Sequence, residues 1–171
     1  MRDVEDRAAQ AAQRLVERLT RRHETLALAE SCTAGLVSDL VARVSGASAV
    51  LWGSFVCYTA DAKKRMLGID DGFLGQHGLV SRQTACEMAL HALELAGTSI
   101  AAAVTGLAGP SGDGSSIPIG TVWVSLARRG NFCGVAEAWH TERELHFQGT
   151  RAEVRMQAAL AVLEELLEIL D

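Results

Sequence analysis

The sequence predicts an α/β fold in which helices cover both faces of a mixed sheet. Apolar residues at helical spacing alternate with short runs of β-branched and small apolar residues, in the order α-β-α-β-α-α-β-β-β-α. Neither an internal repeat nor a linker interrupts this order. A chain of 171 residues is long enough to bury a core of its own, so we expect one domain over residues 1–171.

The first half of the chain alternates between helix and strand. We predict a helix over residues 4–22, a strand over 25–30, a helix capped by Thr33, a strand over 49–58 and a short helix over 59–67. The second half begins with residues 69–80, whose glycines and aspartates indicate a loop. We then predict a helix from Ser81 to Gly97, a buried strand over 98–104, strands over 119–127 and 132–139 joined by a hairpin turn at 128–131, and a helix over 150–170.

Charge and cysteine content restrict the function classes. A net charge of −5 is not typical of a general nucleic-acid binder, although it permits a small anionic ligand. The four cysteines form no CxxC pair, which is typical of reduced, mostly buried thiols in a cytosolic protein. The charged N-terminus lacks the apolar core of a signal peptide, and no apolar run reaches transmembrane length. We therefore expect a cytoplasmic protein without membrane or nucleic-acid partners.

Two common site types are not indicated. The histidines never fall at HxH or HExxH spacing, so we predict no metal site; they are His23, His77, His91, His140 and His146. The glycine-rich stretch over residues 105–114 matches neither a P-loop nor GxGxxG. It is consistent with a tight connection or with a cradle of backbone amides for a ligand.

Ser31 follows the first predicted strand, at a position where α/β proteins bind ligands. It is not in a GxSxG elbow, and a serine needs a base to act as a nucleophile. The chain has two lysines, so Lys63 and Lys64 are the two candidates for a lysine base, and Tyr58 is expected near the same edge. The spacing alone favours the plainer interpretation, in which Ser31 caps a helix and both lysines are solvated.

Cys32 is a competing nucleophile. It adjoins Ser31 near the start of a predicted helix, and a helix N-terminus lowers the pKa of a thiol.

Seven short segments, in this order and spacing, resemble the CinA C-terminal domain family, whose stand-alone members include nicotinamide-nucleotide amidase. They are AESCTAG at 29–35, GAS at 46–48, YTADAK at 58–63, VS at 80–81, TGLAGP at 105–110, IGTVW at 119–123 and FQGTR at 147–151. The resemblance runs from about residue 8 to about residue 168. It implies a three-layer α/β/α sandwich with a mixed central sheet, commonly assembled as a homodimer or higher homo-oligomer.

The resemblance also implies an activity: hydrolysis of nicotinamide mononucleotide to nicotinic acid mononucleotide and ammonia, without a cofactor. Ser31 would be the nucleophile, Lys63 rather than Lys64 its base, and Tyr58 would assist. Backbone amides of residues 31–35 or 105–109 would hold the oxyanion, and the other loop would hold the phosphate, with Arg151. The expected substrate-binding residues are Glu30, Thr33, Gly35, Thr105, Gly106, Gly109 and Arg151.

The chain departs from the family pattern at two of these positions. Ala34 stands where glycine is usual and adds a methyl group beside the expected anion site, whereas Thr105 stands where serine is frequent and keeps the hydroxyl. A rival interpretation from another class is a nucleotide-binding or regulatory module, linked to competence or DNA damage, that does not turn its ligand over. Hydrolysis of a different carboxamide or of a phosphate ester would use the same site.

Overall fold

The computed structural model describes residues 1–132 and 135–171. Six helices and five strands follow one another in these residues, one helix more than the predicted order contains. They are α1 Arg2–Arg22, β1 Leu26–Glu30, α2 Leu36–Ala42, β2 Leu51–Val56, α3 Ala60–Leu67, α4 Asp71–His77, α5 Arg82–Ala96, β3 Ile100–Gly106, β4 Thr121–Phe132, β5 Val135–His146 and α6 Arg151–Glu168. A single 3₁₀ turn, Ala47–Ala49, precedes β2.

The strands form one open sheet in the order β2-β1-β3-β4-β5. Strand β1 is parallel to both β2 and β3, whereas β3–β4 and β4–β5 are antiparallel pairs. The carboxyl ends of β1, β2 and β3 therefore meet at one edge. Because backbone groups and helix N-termini are available at such an edge, it is where α/β proteins place their ligand sites.

Helices cover both faces of this sheet and create two apolar cores. Leu26, Leu28 and Ile100 belong to a core that also contains buried residues of α1, α2 and α6. Ala27 and Ala103 point to the other face, where the side chains of α3, α4 and α5 pack. The predicted three-layer α/β/α sandwich with a mixed sheet is therefore confirmed, and β1 and β3 are buried on both faces, as expected for central parallel strands.

Two details of the sequence prediction are wrong. Residues 69–80 contain the helix α4, because the Asp70 side chain accepts hydrogen bonds from the amides of Gly72 and Phe73 and so caps a turn that glycines otherwise disfavour. The hairpin turn is not at residues 128–131. These residues belong to β4 and pair with β5, since the ladder continues to the Phe132–Val135 pair.

Three of the predicted buried thiols are described: Cys32 and Cys57 are buried and Cys86 is half-buried, all unpaired, whereas Cys133 lies outside the described residues. Among the described helices, none combines the length and the apolar character needed to cross a bilayer.

Candidate active site

Ser31 lies directly beyond β1, between the ends of the neighbouring strands β2 and β3. Its backbone amide donates to the Val104 carbonyl of β3 (2.9 Å), and the Cys57 amide beyond β2 donates to the Glu30 carbonyl (2.9 Å). These two hydrogen bonds extend the sheet by one residue and fix the start of the turn over residues 31–35. The Ser31 side chain is thereby held at the edge where the three parallel strands end.

Lys63 places its amine against this serine. The Lys63 Nζ atom lies 2.9 Å from Ser31 Oγ and donates to the Cys57 carbonyl (3.0 Å). Thr59 caps α3 by accepting from the Ala62 amide, which begins the helix so that Lys63 points inward. The Lys63 side chain has no solvent-exposed surface, and this burial lowers its pKa because the charged amine loses its hydration.

Lys64 occupies a different environment. Its side chain is 53% exposed and pairs with Asp71 of α4, and this carboxylate raises the pKa of Lys64. Of the two lysines that the sequence offers as a base, only Lys63 contacts Ser31.

Glu30 holds the backbone that follows the Ser31 turn through hydrogen bonds to its side chain. Its buried carboxylate accepts hydrogen bonds from the amides of Gly35 (2.9 Å), Val37 (3.1 Å) and Ser38 (2.9 Å). It also accepts from the Ser54 hydroxyl of β2 (3.1 Å). A carboxylate from the end of a strand thus takes the amide groups that begin α2, where its charge also complements the helix dipole.

The prediction that Thr33 caps α2 is wrong. The N-cap residue is Gly35, without a side-chain cap, and the buried Thr33 hydroxyl has no hydrogen-bond partner among the described residues. The two amides that a threonine cap at residue 33 would satisfy are already bonded, because Gly35 donates to Glu30 and Leu36 donates to the Thr33 carbonyl. The amides of Cys32 and Thr33 have no oxygen acceptor within the described part of the chain.

Cys32 lacks the features of a nucleophile. Its side chain is buried, and this burial raises the pKa of its thiol to about 12. The expectation that the start of a helix lowers this pKa is therefore wrong, because the loss of hydration outweighs the other contributions.

Tyr58 and Arg151 bridge the mouth of the site. Arg151 is the first residue of α6, and its guanidinium donates to the Gly109 carbonyl (2.7 Å) and to the Tyr58 hydroxyl. Tyr58 lies two residues beyond the end of β2 and is 47% exposed. Three separate segments, at residues 58, 109 and 151, are therefore brought together, and the Tyr58 hydroxyl donates to no acceptor among the described residues.

The glycine-rich stretch begins where β3 ends. Thr105 is buried, and its hydroxyl donates to the Leu79 carbonyl (2.7 Å). Gly106 is closely packed, since a Cβ atom there would lie 2.8 Å from the Thr121 carbonyl oxygen. Gly109 has a φ of +75°, and a Cβ atom there would lie 2.7 Å from Ile119 Cγ2. These contacts fix the backbone of residues 105–109, which continues directly from Val104, the residue whose carbonyl accepts from the Ser31 amide.

Arg155 is a residue that sequence reasoning missed. It lies one helical turn beyond Arg151 in α6 and donates to the carbonyls of Cys32 (3.1 Å) and Thr33 (2.7 Å). The separation of more than 120 residues leaves no local signal for this contact. Together, Glu30 from the amide side and Arg155 from the carbonyl side fix the backbone that carries Ser31.

Comparison with known proteins identifies the family. The sequence profile of the CinA C-terminal domain matches residues 8–170. The chain belongs to the CinA C-terminal domain family. The family resemblance inferred from the seven motifs is confirmed, and family membership is compatible with either an enzyme or a competence- and damage-associated module.

Curated relatives cover most of this chain. A CinA-like protein of Geobacter metallireducens is 42% identical over 142 residues, which is 83% of this chain and 32% of that protein. A CinA-like protein of Thermotoga maritima is 38% identical over 152 residues, which is 89% of this chain and 35% of that protein. The chain thus spans about a third of the length of these relatives.

Solved structures match over nearly their full length. The competence/damage inducible protein CihA from Agrobacterium tumefaciens is 35% identical, with a TM-score of 0.86 and coverage of 95% of both chains. A competence-damaged protein (CinA) superfamily protein from Escherichia coli is 28% identical, with a TM-score of 0.86 and coverage of 95% of this chain and 90% of that one. The fold at the site is therefore the fold of this family.

Proposed function

We propose that this protein hydrolyses the carboxamide of nicotinamide mononucleotide to nicotinic acid mononucleotide and ammonia, with Ser31 as nucleophile and Lys63 as base. The observation that carries the proposal is the contact between the Lys63 amine and Ser31 Oγ, 2.9 Å apart, in a site where the lysine is wholly buried. A buried lysine with no carboxylate contacting its amine is costly to keep charged, so a neutral amine beside a serine hydroxyl suits proton transfer.

Acylation follows from this geometry. The lone pair of neutral Lys63 Nζ accepts the Ser31 proton while Oγ attacks the carboxamide carbon. The amides of Cys32 and Thr33, which lack acceptors in the described residues, are the donors that we assign to the oxyanion. Lys63 then returns the proton to the departing ammonia, and an acyl-serine remains.

Deacylation reverses the roles. Lys63 accepts a proton from water, the resulting hydroxide attacks the acyl carbon, and Ser31 Oγ leaves with a proton from Lys63. The Cys57 carbonyl keeps the amine in place through both steps, because it accepts a hydrogen bond that does not involve the transferred proton.

The two loops suit different parts of the substrate. The Glu30 carboxylate already accepts from the amides at the start of α2, and its negative charge disfavours binding of the substrate phosphate there. We therefore assign the phosphate to the backbone of residues 105–109 and to Arg151, whose guanidinium is fixed by Gly109 and Tyr58. This assignment gives Arg151, Tyr58 and Gly109 a substrate-binding role, and leaves Glu30, Thr105 and Gly106 as residues that position the backbone.

Ammonia release from nicotinamide mononucleotide tests the proposal. We expect Ser31→Ala and Lys63→Ala each to lower kcat/KM by at least about 1,000-fold, because nucleophile and base act as a unit. Lys64→Ala is the matched control and should retain activity, since Lys64 is exposed and pairs with Asp71 rather than with Ser31. Full activity in Ser31→Ala would contradict the assignment of Ser31 as nucleophile. Loss of activity in Lys64→Ala but not in Lys63→Ala would assign the role of base to Lys64 instead.

The pH profile tests the protonation state of Lys63. Protonated Lys63 cannot accept the serine proton, so activity should be lost as the pH falls through the pKa of Lys63. Because burial lowers this pKa, we expect the inflection in kcat/KM to lie below 10.5, the ordinary value for lysine, with activity rising as the pH rises through it. An inflection at or above that value would contradict a neutral base.

The rival binding module gives a different result in the same assay. In that case nicotinamide mononucleotide raises the melting temperature, yet wild type releases no ammonia. A panel of other carboxamides and phosphate esters separates the remaining activities.

We further propose that residues 1–171 act as one domain within a homodimer or higher homo-oligomer, in the cytoplasm, and sedimentation tests the oligomeric state.

A further inference from the structure

A second cluster of chemically capable side chains lies at the β5 edge of the sheet. His140 and Glu142 are alternate residues of β5, so both side chains lie on the same face of the sheet. Cys86 lies in the first half of α5, which packs on this face. One ligand atom from each of these three residues lies within 4.8 Å of the other two.

A buried polar group without a partner accompanies the cluster. Ser125 of β4 stands directly opposite Glu142 in the strand ladder and is fully buried. Its neighbours Val124 and Leu126 point into the core on the opposite face, so the Ser125 side chain lies on the α5 face, the face of Glu142. Its hydroxyl has no hydrogen-bond partner among the described residues. An unsatisfied buried hydroxyl is unusual, and here it leaves a polar atom without a protein partner on the same face as Glu142.

We propose that Cys86, His140 and Glu142 bind a divalent zinc-type metal ion. Thiolate, imidazole and carboxylate are the three ligand types that Zn²⁺ prefers, and the thiolate selects against Mg²⁺ and Ca²⁺. A tetrahedral zinc ion brings its ligand atoms to about 3.5 Å from one another. The 42% exposure of the His140 side chain leaves it room for this adjustment and leaves water access to the fourth position.

The charges at this site suit a divalent cation. Thiolate and carboxylate together supply two negative charges, which a divalent ion neutralises, and without the ion Arg82 pairs with the second oxygen of Glu142 (3.1 Å). The Arg82 side chain is 62% exposed, so it is free to turn outward when a metal ion arrives.

The position of the cluster indicates a structural or regulatory role. Three strand spacings separate β5 from β1, which places the cluster about 14 Å across the sheet from the strand that carries Ser31. A metal ion there does not touch the reacting atoms. It ties the edge strand β5 to α5, which Arg82 already joins to Glu142 by a hydrogen bond and ion pair.

Cobalt titration of the whole chain tests the site. We expect one Co²⁺ per chain, with a near-ultraviolet sulfur-to-cobalt charge-transfer band, and displacement of Co²⁺ by Zn²⁺. Cys86→Ser should abolish the band, and His140→Gln should raise the dissociation constant for Co²⁺ at least about 100-fold, because each substitution removes a ligand. Zn²⁺ should raise the melting temperature of wild type but not of Cys86→Ser.

His146→Gln is the matched control. His146 lies on the same strand and the same face, 3.5 Å from Glu144, but no cysteine joins this pair in the described residues. The control should bind Co²⁺ as wild type does. Absence of the band in wild type, its persistence in Cys86→Ser, or equal loss of affinity in His146→Gln and His140→Gln would each overturn the proposal.

Discussion

The turn over residues 31–35 and the glycine-rich loop over residues 107–120 border the same site but are held very differently. Glu30 and Arg155 contact the turn from two sides, and the amide of Ser31 is fixed by β3. The loop is fixed near its base, where Leu107 bonds to Thr121, Gly120 bonds to Leu107 and the Gly109 carbonyl accepts from Arg151. Its tip, residues 110–116, is exposed, and Asp113 bonds only within it, to Ser115.

This difference separates two tasks. A nucleophile must be held within a fraction of an ångström of its base, and the many contacts of the turn achieve this. A loop tip with few buried contacts opens at a low free-energy cost, which suits a segment that closes on a substrate. The turn therefore should respond strongly to the loss of one contact, and the loop tip only weakly.

The largest effect should follow from Glu30→Gln. An amide offers one oxygen to three backbone donors and turns its own NH₂ group toward them, so we expect unfolding to become easier by about 3 kcal/mol. Denaturant titration measures this change. Asp39→Asn in α2, the helix whose first amides Glu30 accepts from, removes an exposed carboxylate and should change stability by less than about 0.5 kcal/mol. Equal effects of the two changes would refute the special role of Glu30.

Arg155→Met should have an intermediate effect. It removes two hydrogen bonds to the Cys32 and Thr33 carbonyls but keeps the length of the side chain, which should cost about 1–2 kcal/mol of stability. Because the turn then shifts relative to Lys63, we expect kcat to fall about 10- to 100-fold with little change in KM. Arg155→Lys should recover part of the loss. A variant that loses stability while keeping the wild-type kcat would show that the contact does not position Ser31.

The smallest effects should come from a pair of opposite substitutions. Ala34 has a φ of +51°, which is unfavourable for any residue with a Cβ atom, so Ala34→Gly should stabilise the fold by about 0.5–1 kcal/mol. Gly114 in the loop tip has a φ of +89° and open space around it. Gly114→Ala should cost less than about 0.5 kcal/mol, because the tip relaxes. If thermal unfolding gives changes of equal size and opposite sign, the loop tip is as rigid as the turn.

Much of the fold could be predicted because its signals are local. Apolar periodicity located α1, α5 and α6, and small apolar residues located the central strands. The helix α4 was missed because its start depends on one aspartate side chain rather than on an apolar stripe. The end of β4 was missed because Arg128 and Gly130 are typical of a turn, whereas pairing with β5 determines their conformation.

The site could be predicted only in part. Because the sequence has two lysines, the candidates for a lysine base were limited to Lys63 and Lys64. Which of the two faces inward depends on the residue at which α3 begins. The capping of α2 by Glu30 joins a strand end to amides five to eight residues away, and Arg155 acts across more than 120 residues. The Cys86–His140–Glu142 cluster likewise forms only after the sheet is assembled, since no spacing in the sequence indicates it.

The opposite environments of the two lysines have a consequence for chemical modification. Amine-reactive reagents can reach the exposed Lys64, whereas Lys63 is shielded on every side in the folded chain. Since the sequence contains no third lysine, modification of Lys63 requires the site to open. The extent to which Lys63 is modified therefore reports local opening of the site, and modification of the exposed Lys64 serves as the internal reference.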